Sequence, residues 1–255
     1  MKQFILKLSE DAGNLAMEYL GKAKISDKGE KDIVTEADKA VEALIIKKIK
    51  EAYPGHNIVS EESGDMKAKS EFTWYIDPID GTINYSHTDI HFCISIGVAK
   101  KGVMQYGCIY LPAIREMYFA QDKKGAELNG AKINVSKIKE AGKALASVGI
   151  RPTRDGLQQS MGLFKNFTLA ADRVRDYGFC AGELCFIASG KAEILVRISQ
   201  HVWDIAAGAL ILREAGGKFT DFYGKDIVFD RIEPYDIAAS NGLVHEQVLE
   251  IIKKK

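Results

Sequence analysis

The sequence predicts an α/β protein whose helices and sheets lie in layers, and two observations support this class. The first half opens with two amphipathic helices and continues as a run of alternating strands. In the second half, short apolar strands alternate with helices in a βαβ-like order. Because no low-complexity linker or internal repeat intervenes, we expect one compact, two-lobed unit. Residues 1–143 would form the N-terminal α+β half and residues 144–255 a C-terminal α/β half that closes the active site.

The first two helices follow from apolar spacing and a cap. Residues 2–21 carry apolar side chains at helical intervals. The polar segment 22–34 then predicts a loop or a flexible hairpin. Thr35 is a good N-cap, and Asp38, three residues on, completes a box-like pair with it. The second helix should therefore begin at Thr35, and the breaker "YPG" at 53–55 should end it.

Strands dominate the rest of the first half. Short apolar or alternating runs are bounded by turn residues, and a "KG" pair joins two of them as a hairpin. These runs are typical of an antiparallel sheet. The predicted strands are 57–60, 73–76, 91–100, 103–111 and 115–121.

Strands and helices alternate in the second half, which predicts a mixed sheet covered by helices. The predicted strands are 144–150, 173–178, 192–198 and 236–240, and the predicted helices are 156–170, 181–190, 203–215 and 243–253.

Composition excludes several classes of function. The 255 residues are 46% apolar and 27% charged, with 35 basic and 35 acidic residues. A zero net charge gives no electrostatic reason to expect nucleic acid or an anionic membrane as a partner. No run of 18 apolar residues is present, so we expect no membrane span, and the early charges of "MKQFILKLSEDAG" predict that this segment is not a signal peptide. The four cysteines form neither a disulfide framework nor CxxC pairs, so we expect reduced thiols in a cytoplasmic protein.

The stretch "DPIDG" combines turn residues with two carboxylates. Pro78 cannot donate to a sheet, so the apolar strand 73–76 should end there. Proline also keeps Asp77 extended, and Gly81 lets the chain turn over whatever Asp77 and Asp80 face. The residues thus predict a rigid corner with two converging carboxylates. An ordinary β-turn explains the same five residues and stays an alternative.

Two further acidic positions follow buried elements. Glu61 and Glu62 come directly after the strand 57–60, although such a pair is commonly a solvated loop. Asp204 stands in the first turn of a strongly apolar helix, where the helix dipole alone would favour it. Taken together, three carboxylate groups at the ends of buried elements indicate an oxygen-ligand site for Mg²⁺ or Mn²⁺. Histidine and cysteine spacings suited to zinc are absent.

Three motifs resemble the inositol monophosphatase family of magnesium-dependent, lithium-sensitive phosphatases, whose superfamily includes fructose-1,6-bisphosphatases. The motifs are "EES" at 61–63, "WYIDPIDGTINY" at 74–85 and "WDIAAGALILREAGG" at 203–217, and the segment 29–42 resembles the amino-terminal part of the family. The resemblance covers essentially the whole chain in the expected order. It implies an alternating helix–sheet–helix–sheet–helix sandwich of the sugar-phosphatase type.

The resemblance also implies a set of metal ligands for two or three Mg²⁺ ions, with Mn²⁺ as a substitute and Li⁺ or Ca²⁺ as inhibitors. Asp77 would bridge two ions, while Asp80 and Asp204 would complete one of them. Glu61 and the carbonyl of Ile79 would complete the other. The implied ligands are therefore Glu61, Asp77, Ile79, Asp80 and Asp204.

The implied mechanism is in-line attack on phosphorus by metal-activated water, without a covalent enzyme intermediate. Thr82 paired with Asp38, or else Glu61, would orient or deprotonate that water. Gly81 and Thr82 would bind the phosphate through N–H groups at a helix start. The haloacid dehalogenase motif "DxDGT" is a weaker match, because "DPIDGT" has one residue too many between its aspartates.

The positions that would contact the non-phosphate part of the substrate depart from the usual residues of the family. Where many family members have "GSAA", this chain has Gly178, Phe179, Cys180 and Ala181. Arg197 stands seven residues before Asp204, where inositol phosphatases have glutamate. A guanidinium cannot accept hydrogen bonds from hydroxyls and would favour a second anionic group, although Arg197 could equally be an exposed strand residue. The implied substrate-binding residues are Asp80, Gly81, Thr82, Gly178, Cys180, Arg197 and Asp204.

We therefore predict a phosphoric monoester hydrolase that acts on a small phosphorylated polyol or sugar of the inositol-1-phosphate type. The alternatives are a fructose-1,6-bisphosphatase, a broad sugar-phosphate or nucleotide phosphatase, and a catalytically silent metal-binding regulatory protein. The expected partner is a small phosphate ester. The family resemblance adds a homodimer as the default assembly.

Overall fold

A computed structural model describes residues 1–29, 32–229 and 233–254. The chain forms five layers, in the order helices, sheet, helices, sheet, helices. One apolar cluster lies between the outer helices and the first sheet, a second surrounds the central helices, and a third lies beneath the last helices. The predicted layered α/β sandwich is confirmed.

The helices are α1 (Lys2–Tyr19), α2 (Glu36–Ala52), α3 (Thr82–Ser86), α4 (Leu157–Ala170), α5 (Cys180–Ala188), α6 (Val202–Glu214) and α7 (His245–Ile252). The strands of the first half are β1 (Ile25–Gly29), β2 (Asp32–Thr35), β3 (Asn57–Ser60), β4 (Gly64–Met66), β5 (Phe72–Asp80), β6 (Cys93–Lys100), β7 (Val103–Leu111), β8 (Glu116–Gln121), β9 (Ala126–Leu128) and β10 (Ala131–Lys132). Those of the second half are β11 (Leu145–Val148), β12 (Arg173–Arg175), β13 (Ile194–Gln200), β14 (Lys218–Asp221) and β15 (Tyr235–Ser240).

Each half of the chain forms one of the two large sheets. The first has the order β10-β9-β8-β7-β6-β5-β3-β4 and is antiparallel except where β3 runs parallel to β5. The second has the order β12-β11-β13-β15-β14, with parallel pairs at β11 and antiparallel pairs at β15. Helices α5 and α6 lie between them, so both halves contribute to one central core. The division into halves 1–143 and 144–255 stays a prediction.

The start of α2 is capped as the sequence predicts. The Thr35 hydroxyl accepts hydrogen bonds from the N–H groups of Ala37 and Asp38, and Asp38 accepts one from the Thr35 N–H. Before it, β1 and β2 pair antiparallel, in agreement with the hairpin alternative for the segment 22–34. Residues 30 and 31 of that segment lie outside the described residues.

Helix α6 is pressed directly onto the first sheet. Strands β6 and β7 present Gly97 and Gly107 to it, and a Cβ at Gly107 would lie 2.6 Å from the carbonyl oxygen of Ala207. No side chain separates the helix from the strand backbone at this point. Because the helix is covered on both sides, it is apolar almost throughout, and Asp204 is the acidic residue of its first turn.

The prediction that the strand ends at Pro78 is wrong. Strand β5 continues to Asp80, and its register against β6 shifts between Asp77, opposite Ser95, and Asp80, opposite Cys93. Pro78 and Ile79 therefore form a bulge, where the missing proline N–H is tolerated. Strands β4, β9, β10 and β14 were not predicted, because they are short and carry no clear alternating pattern.

Candidate active site

The predicted metal ligands line one cavity of about 200 Å³. It opens where the bulge of β5 meets the first turns of α5 and α6, so both halves of the chain contribute to it. The lining residues are Glu61, Asp77, Ile79, Asp80, Gly81, Thr82, Gly178, Cys180, Arg197, Gln200 and Asp204.

Asp77 has an unsatisfied oxygen. Its side chain is buried, and Oδ1 has no hydrogen-bond partner among the described residues. Burial, together with the nearby carboxylates of Glu61 and Asp80, raises the pKa of Asp77 well above its usual range. A buried carboxylate oxygen without a donor is unfavourable, and a bound cation would satisfy it.

Asp80 is held by the start of α5. The backbone N–H groups of Cys180 and Ala181 donate to its two oxygens at 3.1 and 2.7 Å. The thiol of Cys93 lies 3.5 Å from Oδ2 and donates to it. Burial raises the pKa of Asp80 to about 7, although the positive charge of Arg197 acts in the opposite direction. Cys180 thus serves the site through its N–H, while its side chain is buried.

Asp204 is fixed at the start of α6, where it accepts a hydrogen bond of 2.8 Å from the His201 N–H. Its pKa is raised well above the usual range, mainly by burial and then by Glu61 and Asp80. The acidic residue of the first turn therefore both caps its helix and faces the other carboxylates.

Glu61 and Glu62 share a cation from the β1–β2 hairpin. The ammonium of Lys28 lies 3.1 Å from Glu61 and also forms an ion pair with Glu62. Burial raises the pKa of Glu61, and Lys28 opposes that shift. The loop is held from below by Glu42, whose carboxylate accepts from the N–H groups of Glu62 and Ser63 at 3.1 Å. Glu61 and Glu62 are therefore held in place by hydrogen bonds and ion pairs and are not part of a solvated loop.

Asp38 lies behind the cavity and contacts it through Thr82. The Thr82 hydroxyl is 3.3 Å from Asp38 Oδ1 and 3.0 Å from the carbonyl oxygen of Ile79. A hydroxyl has one proton, so it donates to one of these acceptors at a time. Whenever Asp38 accepts it, the Thr82 hydroxyl does not donate to the Ile79 carbonyl.

Two glycines shape the floor of the cavity. Gly81 has φ +89°, and a Cβ there would lie 2.6 Å from the carbonyl oxygen of His91. The turn into α3 therefore requires glycine for both conformation and space. Gly178 has φ +72° and lies next to Asn84, whose side-chain amide donates to the Tyr177 carbonyl at 2.7 Å.

Arg197 is paired rather than exposed, so the exposed-residue interpretation is wrong. Only 11% of its side chain is accessible, and Nη2 lies 2.6 Å from Glu183 and 3.0 Å from Asp176. Its guanidinium lies against Gly149, which leaves no room for a Cβ. Arg197 does line the carboxylate cavity, as predicted, but two carboxylates already neutralise it.

A second cavity of about 520 Å³ adjoins the first and shares four lining residues with it. Sequence reasoning missed most of its wall. The single signal that could have indicated it is the "SQHVW" run directly before Asp204. The shared residues are Glu61, Arg197, Gln200 and Asp204, and the others include Lys28, Arg151, Thr153, Ser199, His201 and Trp203.

The donors fit Mg²⁺ in chemistry, although they do not close on one point. Over the described ranges, no three acidic, histidine or cysteine side chains stand close enough together to enclose a metal ion. Glu61 is engaged by Lys28 instead. The set consists of oxygen ligands, and Asp77 offers a buried oxygen that no described donor satisfies. These are the properties of a hard-cation site.

The sequence profile of the inositol monophosphatase family matches residues 1–255, that is, the whole chain. This chain belongs to the inositol monophosphatase family. The match and the cavity agree, since the three motifs that carry the resemblance supply the carboxylates that line it. Members of the family are generally Mg²⁺-dependent phosphatases.

The relatives carry more than one name. A protein of Neisseria meningitidis serogroup B, named "Putative Nus factor SuhB", is 36% identical over 251 residues, covering 96% of this chain and 95% of the relative. A Thermotoga maritima "Fructose-1,6-bisphosphatase/inositol-1-monophosphatase" is 33% identical over 254 residues, covering 98% and 95%. Among solved structures, the suhB extragenic suppressor protein of Bartonella henselae superposes with a TM-score of 0.93 at 26% identity, covering 99% of this chain and 98% of that one.

No helix in the described part of the chain is both long and apolar enough to cross a bilayer. All four cysteines are buried free thiols, in agreement with the predicted absence of disulfides.

Proposed function

We propose that this chain is a Mg²⁺-dependent phosphomonoesterase that hydrolyses a small phosphorylated polyol or sugar of the inositol-1-phosphate type. The observation that carries the proposal is the meeting of Asp77, Asp80 and Asp204 at one cavity, with Asp77 and Asp80 buried and Asp77 Oδ1 unsatisfied. Carboxylates with raised pKa values at a shared cavity are typical of a functional site.

The metal-holding residues would be Glu61, Asp77, Asp80, Asp204 and the carbonyl of Ile79. We propose two or three Mg²⁺ ions, with Mn²⁺ as a substitute and Li⁺ or Ca²⁺ as inhibitors. When bound, Mg²⁺ supplies positive charge for the phosphoryl oxygens and makes water easier to deprotonate.

Thr82 and Asp38 would orient the attacking water. Asp38 is buried and hydrogen-bonded to Thr35, so its position is fixed. When it accepts the Thr82 proton, the Thr82 oxygen keeps its lone pairs for a donor in the cavity. Water held there would lose mobility before attack, which lowers the entropic part of the barrier. Glu61 remains the alternative base, because it lines the same cavity.

Gly81 and Thr82 would bind the substrate phosphate through their backbone. The first N–H groups of a helix lack intrahelical partners, and α3 begins at Thr82. Donors with this orientation suit an anion. Gly178, which also lines the cavity, would contact the remainder of the substrate.

A phosphate-release assay tests the proposal. The purified chain is incubated with inositol-1-phosphate, fructose-1,6-bisphosphate, fructose-1-phosphate and a nucleoside monophosphate, with and without millimolar Mg²⁺. We expect Mg²⁺-dependent release from at least one ester. Asp80→Asn or Asp204→Asn should reduce it by orders of magnitude while the circular dichroism spectrum is unchanged. Near wild-type turnover in either variant would overturn the site assignment.

The second candidate is a regulatory protein that keeps the fold and a metal but has no turnover. A relative 36% identical to this chain is named "Putative Nus factor SuhB", which favours such a role. The retained carboxylates argue against it. If no ester releases phosphate at millimolar Mg²⁺ while Mg²⁺ raises the melting temperature, this candidate is supported over the first.

We further propose a cytoplasmic homodimer. The four free, buried thiols suit a reducing compartment, and dimers are common in the family. Light scattering should then give a mass about twice the 28.2 kDa of one chain.

A further inference from the structure

The second cavity has a basic wall. Lys28, Arg151 and Arg197 all line it, and it adjoins the carboxylate cavity along shared residues. Two of these three cations are paired with carboxylates, as described above. Arg151 differs from them, since the described residues offer it no carboxylate within ion-pair distance.

Arg151 contacts neutral oxygens only. Its Nε donates to the Thr153 hydroxyl at 3.3 Å, and Nη1 donates to the Ser199 carbonyl at 3.3 Å. Neither bond compensates the charge, and a guanidinium has five N–H donors. Within the described part of the chain, Nη2 has no partner of its own, so donors remain for a ligand in the cavity.

The position of this guanidinium is built into the fold. Its aliphatic stem lies against Gly156, where a Cβ would be 2.5 Å from Arg151 Cδ. Its backbone N–H donates to the Ser160 hydroxyl at 3.1 Å. Ser199 holds a left-handed conformation with φ +57°, and Asp236 accepts from its N–H at 2.9 Å. A non-glycine residue held in that region needs support from its surroundings and is frequent at binding sites.

We propose that Arg151 is a specificity-determining residue that recognises a second anionic group on the phosphate ester. The inference rests on the proposed function and extends its substrates to small esters that carry a further phosphate or carboxylate. One molecule would span both cavities, with its scissile phosphate among the carboxylates and its second anion at Arg151. The 520 Å³ of the second cavity is within the range that small ligands occupy.

Arg151 takes over the role that the sequence suggested for Arg197. A guanidinium enclosed by Glu183 and Asp176 has little charge left for a ligand. An unpaired guanidinium with a fixed stem binds phosphate or carboxylate through two parallel hydrogen bonds.

Matched substrates test the proposal. The pair fructose-1,6-bisphosphate and fructose-1-phosphate differs only in the second phosphate. The open-chain pair 6-phosphogluconate and sorbitol-6-phosphate differs only in a carboxylate that replaces a hydroxymethyl group. We expect Arg151→Gln to reduce kcat/KM for the doubly anionic esters by about tenfold to a hundredfold, mostly through KM. The singly anionic esters should change by less than about twofold. The two pairs show which anion the guanidinium prefers.

Three variants complete the experiment. Arg154→Gln removes an exposed guanidinium from the same loop and should leave the ratio of kcat/KM between doubly and singly anionic esters unchanged. Gly156→Ala should displace the stem of Arg151 and selectively lower kcat/KM for the doubly anionic esters. Arg151→Lys should restore part of the loss, since it keeps the charge. Circular dichroism confirms that each variant is folded.

The outcomes separate the two proposals. If wild type hydrolyses esters but Arg151→Gln leaves the ratio of doubly to singly anionic esters unchanged, the role of Arg151 is overturned and the proposed function stands. An equal loss for both kinds of ester would also overturn it, because it indicates a structural role. If wild type hydrolyses no ester, the proposed function fails and the inference fails with it.

Discussion

Arg197 and Glu183 form a buried ion pair, with Nη2 2.6 Å from Oε2 and both side chains almost inaccessible. Glu183 also accepts from the Ser147 hydroxyl at 2.5 Å and from the Tyr177 N–H at 3.0 Å. The pair links strand β13 to helix α5, next to the residues that hold Asp80. Arg197 is therefore part of the support of the site.

Arg197→Ala should destabilise the protein by about 3–5 kcal/mol, because it leaves Glu183 buried without its partner. Urea denaturation followed by circular dichroism measures the change. Arg197→Met combined with Glu183→Gln removes both charges and should recover most of it. If Arg197→Ala lowers the free energy of unfolding by less than about 1 kcal/mol, the ion pair does not contribute substantially to stability. If Arg197→Ala also leaves the ratio of fructose-1,6-bisphosphate to inositol-1-phosphate turnover unchanged, Arg197 does not select the substrate.

The motifs predicted which carboxylates share one site, because the resemblance to the family relates each motif to the same set of ligands. Glu61, Asp77, Asp80 and Asp204 all line the predicted cavity. Partners from distant elements could not be predicted in this way. Lys28 reaches Glu61 from a hairpin 33 residues earlier, and no pattern in either segment indicates that contact.

Periodicity likewise predicted the layers but not the edges of the sheets. Long helices and buried strands carry strong patterns, whereas β14 is four residues of mixed character. At Pro78 the missing N–H argued correctly against a regular strand. The strand nevertheless continues past Pro78 through a bulge, because β6 pairs with β5 on both sides of it.

Asp77→Asn should make the metal-free protein at least as stable as wild type at pH 8. Burial raises the pKa of Asp77, so ionisation opposes folding and stability falls as the pH rises through the folded-state pKa. Mg²⁺ at about 100 times its Kd should stabilise wild type by about 2.7 kcal/mol. The variant should lose most of this increase, measured by thermal unfolding with and without Mg²⁺. An undiminished Mg²⁺ effect would exclude Asp77 as a ligand.

Lys28→Gln should lower the Mg²⁺ concentration that gives half-maximal stabilisation by about threefold to fivefold, because the ammonium competes with the ion for Glu61. Melting temperatures over a Mg²⁺ series provide the measurement. Lys24→Gln is the matched control, since Lys24 directly precedes β1 and forms an ion pair with the exposed Glu36. A weaker Mg²⁺ response in the Lys28 variant would show that the lysine assists metal binding.

His245 should make stability depend on pH between about 6.5 and 4. Burial, and then Lys218, lower its pKa to about 4 from the usual 6.5. The unfolded chain therefore takes up a proton in this window that the folded chain does not, so stability is lost as the pH falls. His245→Gln should have a shallower pH profile of unfolding free energy. Parallel profiles would show that the buried contacts with Thr220 and Ser240 do not keep the ring neutral.

Gly107→Ala should destabilise the protein by about 1–3 kcal/mol, because the new methyl group would meet the backbone of Ala207 in α6. Gly162→Ala is the control, since that glycine lies inside α4 with nothing near its Cβ position. This substitution should raise the free energy of unfolding by about 0.5–1 kcal/mol. Thermal unfolding compares both. Similar effects of the two substitutions would mean that α6 can move away from the strand.

The close approach of α6 to the strand glycines also determines how the site moves. Side chains exchange rotamers within nanoseconds, whereas two backbones in van der Waals contact have no such freedom. The separation between Asp204 and the bulge of β5 is therefore set by atomic radii rather than by rotamer populations. Thermal motion can widen the cavity only by parting a helix from a sheet, so the carboxylates keep their spacing until the central layer itself opens.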